Sequence, residues 1–300
     1  MKFLDELKKI RRRIYIKTIL ILLIFILFLT LLISDSNNLS DVFQILIFML
    51  PLGLLFTNTI IKMFVIKKDK QLYKEIYKKN ILLNCLKENF MNVEYKLSED
   101  DFPDGLLPKK FIEIVEDIKI SGGNIFNDYI SANYKNLRFE FADIEMVEQL
   151  GRPSNSWAHT SFKGQWLVLE RNKKLENSIQ IFCKTFKGNK KMGLLRGKKY
   201  KKITTDDLEF DNQFNVFVES NIDVSKILTP NIIEKVKKIK KKLKLKLFIC
   251  FVDNRIGILL ENKKDLFEPN IYKNIYLEEE KNKILKQLKN IIEILDLDNN

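Results

Sequence analysis

Residues 137–149 read LRFEFADIEMVEQ, and they alternate. Phe139, Phe141, Ile144 and Met146 recur at nearly every second position, with charged or small residues between them. A period of two sends successive side chains to opposite faces of a strand, so the stretch predicts a strand with one face on an apolar core. The step from Phe141 to Ile144 is one residue too long, which predicts a bulge.

The same signal continues downstream. SWAHTSFKGQWLVLE, residues 156–170, predicts a strand, a kink at Gly164 and a second strand. Further strands are expected near 178–186 and 214–218. LKLKLFICFV, Asp253-Asn254 and RIGILLE, residues 243–261, predict a tight hairpin. Between these lies one well-signposted helix, ILTPNIIEKVKKIKKKL at 227–243. Thr229 is a good N-cap and Pro230 suits the first helical position. Leu228 and Ile233 are spaced for a hydrophobic staple, and Ile232, Val236, Ile239 and Leu243 form the apolar stripe. A last helix over about 277–297 carries Ile284, Leu288, Ile291 and Leu295. The large part of the chain is therefore α+β, an antiparallel sheet with flanking helices, over 96–275, with the terminal helix over 276–300.

Upstream the pattern turns helical. Tyr73, Ile76, Leu83, Leu86 and Phe90 recur at helical spacing, so 67–95 is expected to form a helical stalk. SEDDFPDGLLP, residues 98–108, breaks it, and a short helix is expected over 109–118.

The first 66 residues differ from everything that follows. TILILLIFILFLTLLI, residues 18–33, has no charge, and Val42–Ile61 is a second uncharged run. Neither shows a polar face, so both predict membrane-spanning helices, over about 14–33 and 42–61. Lys8, Lys9, Arg11, Arg12, Arg13 and Lys17 precede the first run; Lys62, Lys67, Lys68 and Lys70 follow the second; the loop SDSNNLSD has no Lys or Arg. The positive-inside rule then predicts a transmembrane hairpin, residues 1–66, with both termini and the large domain cytosolic at a bacterial inner membrane.

Chemistry is harder to find. The 300 residues hold 52 Lys+Arg against 39 Asp+Glu, one histidine and three widely spaced cysteines. Cys85, Cys183 and Cys250 form no Cys-x-x-Cys pair, and His159 alone cannot complete a zinc set, so no metal or other cofactor is expected. Taken as one unbroken strand, Trp157, His159, Ser161 and Lys163 share a face. They form the candidate pocket for a small-molecule sensor or an enzyme. No oxyanion element accompanies them, and no catalytic residue is assigned. GNKKMGLLRGKK, residues 188–199, lacks the Gly-Lys-Ser/Thr ending of a phosphate loop, and DDLEFD, residues 206–211, lacks the glycine and closing Glu of a calcium loop. DDLEFD reads instead as a solvated lead-in to a strand.

Eight lysines fall between Lys235 and Lys246. Among them Lys235, Lys237, Lys238, Lys241 and Lys242 are candidates to face anionic lipid headgroups, where each is worth about 1 kcal/mol. No aromatic residues interleave with them, which speaks against nucleic acid.

The order of motifs carries a resemblance. Phe162-Lys163-Gly164 is followed by Ile227-Leu228-Thr229-Pro230 and by Phe267-Glu268-Pro269, with Trp166 where another aromatic is expected. This order resembles the bacterial domain of unknown function 3137 family from about residue 8 to 275, with the last helix outside the common part. The resemblance implies a membrane hairpin bearing a cytosolic domain. It implies no activity and brings no catalytic residues. The reading reached is a non-enzymatic, membrane-anchored interaction or scaffold protein with an unidentified protein partner. An anionic-lipid-binding module is a further alternative.

Overall fold

The computed structural model describes residues 2–34, 53, 65–97, 124–135, 137–152, 155–171, 174, 178–185, 200–219, 224–262 and 265–295. The chain divides into two compact units: Met1–Asn84 with Phe267–Asn282, and Cys85–Leu266 with Lys283–Asn300.

The second unit is built on one antiparallel sheet. Its strands are β1 (Met91–Lys96), β2 (Asn124–Tyr134), β3 (Leu137–Arg152), β4 (Asn155–Glu170), β5 (Ile179–Cys183), β6 (Tyr200–Ile203), β7 (Phe214–Glu219), β8 (Lys246–Val252) and β9 (Arg255–Glu261). They lie in the order β1-β2-β3-β4-β9-β8-β5-β7-β6. Strands β5, β8 and β9 are buried on both faces, so their near-continuous apolar runs follow from burial rather than alternation. Asp253, at φ 51°, makes the two-residue turn between β8 and β9.

Two expectations about these strands are corrected. The bulge predicted between Phe141 and Ile144 does not interrupt β3 against β4, whose register is unbroken from Phe139↔Leu169 to Met146↔Phe162 and shifts only between Met146 and Val147. The alternation slips because Ala142 and Ile144 are buried as well as Phe139, Phe141 and Asp143, so both faces are covered there. The bulge lies on β2, where Asp128 takes φ 55° and the register shifts between Asn127 and Ile130. Gly164 is not a kink either: β4 runs through it without interruption. A Cβ on Gly164 would stand 1.9 Å from the Leu260 carbonyl oxygen and 2.9 Å from the Asn262 nitrogen. Close backbone approach, not bending, demands glycine at this position.

The described chain also has the α-helices α3 (Leu83–Asn89), α4 (Leu208–Gln213), α5 (Pro230–Leu243) and α6 (Leu277–Leu295), and a 3-10 turn at Val224–Lys226. In α5 the Thr229 hydroxyl accepts from the Ile232 N–H at 3.4 Å, Pro230 opens the helix, and Lys244 closes it in the left-handed region. Ile232, Ile233, Val236 and Ile239 are buried; each such side chain contributes about 1.5–3 kcal/mol of hydrophobic burial. In α6 the buried positions are Ile284, Leu288, Ile291 and Ile294.

The first unit is helical. Helix α1 (Lys2–Ser34) is continuous, and α2 (Lys67–Tyr77) runs into a π-helical turn at Lys78–Leu82. Leu7, Ile10 and Ile14 on α1 are buried, whereas Ile16, Leu20, Leu23, Ile24, Leu27 and Leu31 are each more than half exposed.

The predicted transmembrane hairpin is corrected here. Among the described residues no helix is long and apolar enough to cross a membrane. The first predicted span is not a free-standing apolar rod. It belongs to a helix that begins at Lys2, and the charged half of that helix is docked through Leu7, Ile10 and Ile14. Apart from Gly53, the second predicted span lies outside the described residues, as does the short helix expected over 109–118. The helical stretch expected to run to 95 ends at Asn89, and β1 follows.

Candidate functional site

The three motifs singled out in the sequence each sit at a polar junction. Lys163, in the first motif, points its ammonium at Glu145 Oε2, 3.2 Å away, and at Asp265 Oδ1, 3.0 Å away. Burial pulls its pKa down, but the hydrogen bonds it donates to Asp265 and Glu145 outweigh this and hold it above the ordinary lysine value. The Lys163 carbonyl accepts from the Asn262 N–H at 2.9 Å, which brings the chain after β9 hard against Gly164.

Beside this pair lies a buried carboxylate that sequence reasoning missed. Asp143 is 2% exposed. Its Oδ1 accepts from Gln165 Nε2 at 2.8 Å, and its Oδ2 from the Leu266 N–H at 2.9 Å. Burial, opposed by the Gln165 bond and reinforced by the nearby carboxylates of Asp128 and Asp265, raises its pKa to about 8. Asp128, at the β2 bulge, is fully buried and accepts from the Tyr95 hydroxyl at 2.5 Å. The one signal available was that Asp143 occupies an inward slot in line with Phe139 and Phe141.

The second motif, Ile227-Leu228-Thr229-Pro230, borders a cleft of about 440 Å³. Ile203, Thr204, Thr205, Asp206 and Asp207 line one side; Val224, Ser225, Leu228, Pro230, Ile233 and Glu234 line the other. Asp207 caps α4 by accepting from the Phe210 N–H at 2.8 Å, so DDLEFD does lead into a strand, β7, but as a short helix whose Phe210 is buried. Thr205 is tied to Asp211, which accepts from its N–H at 2.9 Å and from its hydroxyl at 3.0 Å. Lys237 reaches back from α5 to Asp207 (2.8 Å), Glu209 (3.2 Å) and Glu234 (2.5 Å). The hydrogen bond to Asp207 leads in raising its pKa well above the ordinary lysine value.

The third motif belongs to the first unit. Glu268 accepts from Lys78 Nζ at 2.7 Å and pairs with Lys74 at 2.5 Å. Burial raises its pKa, but the two ammonium groups outweigh it and leave the carboxylate below the ordinary glutamate value. Phe267 is fully buried at φ 60°. This motif is a structural clasp.

The side chains of Trp157, His159 and Ser161 lie outside the described residues. Their backbones are in β4, and the register shifts from Met146↔Phe162 to Val147↔Thr160, so Ser161 has no partner across from it. Strict alternation therefore does not carry from Lys163 to His159. Of the lysines considered for lipid contact, Lys237 is enclosed by its three carboxylates and Lys242 pairs with Glu293. Lys238 and Lys241 are exposed and Lys235 is half-buried. Cys85, Cys183 and Cys250 are buried and form no disulfide. Among the described residues no cluster of three or more His, Cys, Asp or Glu is placed to hold a metal ion.

Residues 160–297 match the family described as protein of unknown function (DUF3137). The match contains all three motifs. It begins well after residue 8 and takes in the last helix, which the sequence reading placed outside. No curated protein matches the chain. Among solved structures, the crystal structure of the mycobacterial trehalose monomycolate transport factor A, TtfA, is similar with a TM-score of 0.37 and 10% identity, over 71% of this chain and 90% of that one. A likeness that loose carries no argument here.

Proposed function

We propose that this chain is a non-enzymatic interaction protein that works at the bacterial cytoplasmic membrane, with the sheet-based unit on the cytosolic side. The observation that carries the reading is the second half of α1. Ile16, Leu20, Leu23, Ile24, Leu27 and Leu31 are each between 55% and 61% exposed. A contiguous apolar surface of this kind marks a contact with lipid or protein. The six basic residues from Lys8 to Lys17 stand at one end of it, on the side favoured by an anionic leaflet. The cleft beside α5 supplies a surface for a partner in the sheet-based unit.

Fractionation tests the reading. The full chain is expected in the membrane pellet and to resist extraction by high salt, and Leu20→Asn/Leu23→Asn/Leu27→Asn is expected to move it toward the soluble fraction. A full chain found wholly in the soluble fraction overturns the membrane part. Turnover of a nucleotide or lipid by the purified chain overturns the non-enzymatic part.

A further inference from the structure

We propose that the cleft beside the α5 N-terminus is a docking site for a basic protein segment that carries a large apolar side chain. The inference rests on the interaction-protein reading and names the chemistry of its partner. Three observations support it.

The first is charge. One cation, Lys237, is shared by Asp207, Glu209 and Glu234, and Asp206 stands exposed on the rim. Three carboxylates of the lining, Asp206, Asp207 and Glu234, against one ammonium that is also shared with Glu209 leave a negative excess, so an anion such as phosphate or an acidic lipid headgroup is repelled. The α5 N-terminus does not reverse this: Pro230 has no N–H, and the Ile232 N–H is already taken by Thr229. The excess also stands against the whole molecule, whose net charge is +13. A basic ligand is repelled by the chain at large and attracted only locally, which gives the site selectivity.

The second is the floor. Leu228 and Ile233 form it and are nearly buried, with Val224 and Pro230 beside them. An apolar floor rewards an apolar group, so a bare metal cation or a simple polyamine leaves it unused. The third is size. A cleft of about 440 Å³ falls at the small end of ligand pockets and accommodates one or two large side chains. Lys or Arg on the rim, with Leu or Phe on the floor, meets all three requirements.

The test is a fluorescence-anisotropy titration of the full chain in detergent. The probe is a labelled synthetic peptide of alternating Leu and Lys/Arg; the control is the same peptide with Glu for every Lys/Arg. The basic peptide is expected to bind, with at least tenfold loss on Asp206→Lys and loss beyond detection on Thr204→Trp. Both changes are at exposed positions, so the fold should tolerate them. Lys238→Glu, on the exposed face of α5, should change little. Equal binding by the wild type and Asp206→Lys, or preference for the acidic peptide, overturns the proposal. If the basic peptide fails to bind while the chain still pellets with membranes and turns nothing over, only this inference falls and the broader reading stands.

Discussion

Asp69 and Asp143 are buried almost equally, at 5% and 2% exposure, yet their charges are handled in opposite ways. Asp69, in the helical unit, faces two cations: Lys17 Nζ at 2.6 Å and Arg13 Nη1 at 3.1 Å. Burial raises its pKa, but Lys17 and then Arg13 outweigh that, and the carboxyl sits below the ordinary aspartate value. Asp143, in the sheet, has two acids nearby, and its donors are neutral. It receives an amide N–H and a backbone N–H, and burial wins. At similar exposure, the charge of the partners helps to decide whether a carboxylate stays ionised. One acid pins two helices as an anion at neutral pH. The other is largely neutral at pH 7 and ionises near pH 8.

The largest predicted effect follows from the raised value. In the unfolded chain an aspartate titrates near pH ~4. Between that and about pH 8 the folded protein holds more protons than the unfolded one. Stability from this group is therefore full below pH ~4 and is lost as pH rises through the folded value. Each pH unit between the unfolded and folded values is worth about 1.4 kcal/mol, so the loss is on the order of 5 kcal/mol. Asp143→Asn cannot ionise. The difference in unfolding free energy between wild type and variant, from denaturant titrations at pH 5 and pH 9, should move toward the variant by several kcal/mol. A difference that is flat with pH breaks the contrast between the two acids.

Asp69→Asn runs the other way and is smaller. The depressed pKa gives stability that is present above pH ~4 and lost as pH falls through the folded value. Arg13 and Lys17 are partly solvated, so screening limits the contribution to about 1–2 kcal/mol at pH 7. The same titrations should show the wild type ahead at pH 7 and the gap closing below pH 4. Half a molar of added salt should narrow the gap at pH 7 as well.

The local elements were legible because their signals are local. Alternation over 137–149 and 156–170, the Asp253–Asn254 turn and the Thr229-Pro230 cap all act within a few residues. The structure has strand, strand, hairpin and helix at those places. What was not legible depends on residues far apart. The cleft joins 203–207 to 224–234, and the setting of Asp143 joins β2, β3, β4 and the Leu266 N–H. The role of Gly164 depends on Leu260 and Asn262, nearly a hundred residues away in sequence, so from the sequence it reads as a kink. The apolar run in 18–33 was plain, but its place in a helix reaching back to a docked, charged half was not.

Lys163 offers the smallest and finest test of the contrast, because it stands between the two situations. It does not touch Asp143, but it pairs with Asp265, whose charge adds to the upward push on Asp143. Asp265 also precedes Leu266, whose N–H holds Asp143 Oδ2. Lys163→Met therefore leaves Asp265 unneutralised and takes nothing directly from Asp143. Both of its ion pairs are half-exposed, so the stability cost at pH 7 should be under about 1 kcal/mol. The midpoint of the Asp143-linked pH profile should rise slightly above the wild-type value, and high salt should cancel the rise. Lys163→Arg should restore the wild-type midpoint, because it keeps the charge. A midpoint that falls instead would mean that Asp265 reaches Asp143 through the position of Leu266 rather than through its charge. The neutral state of Asp143 would then depend on backbone placement as much as on the absence of a cation.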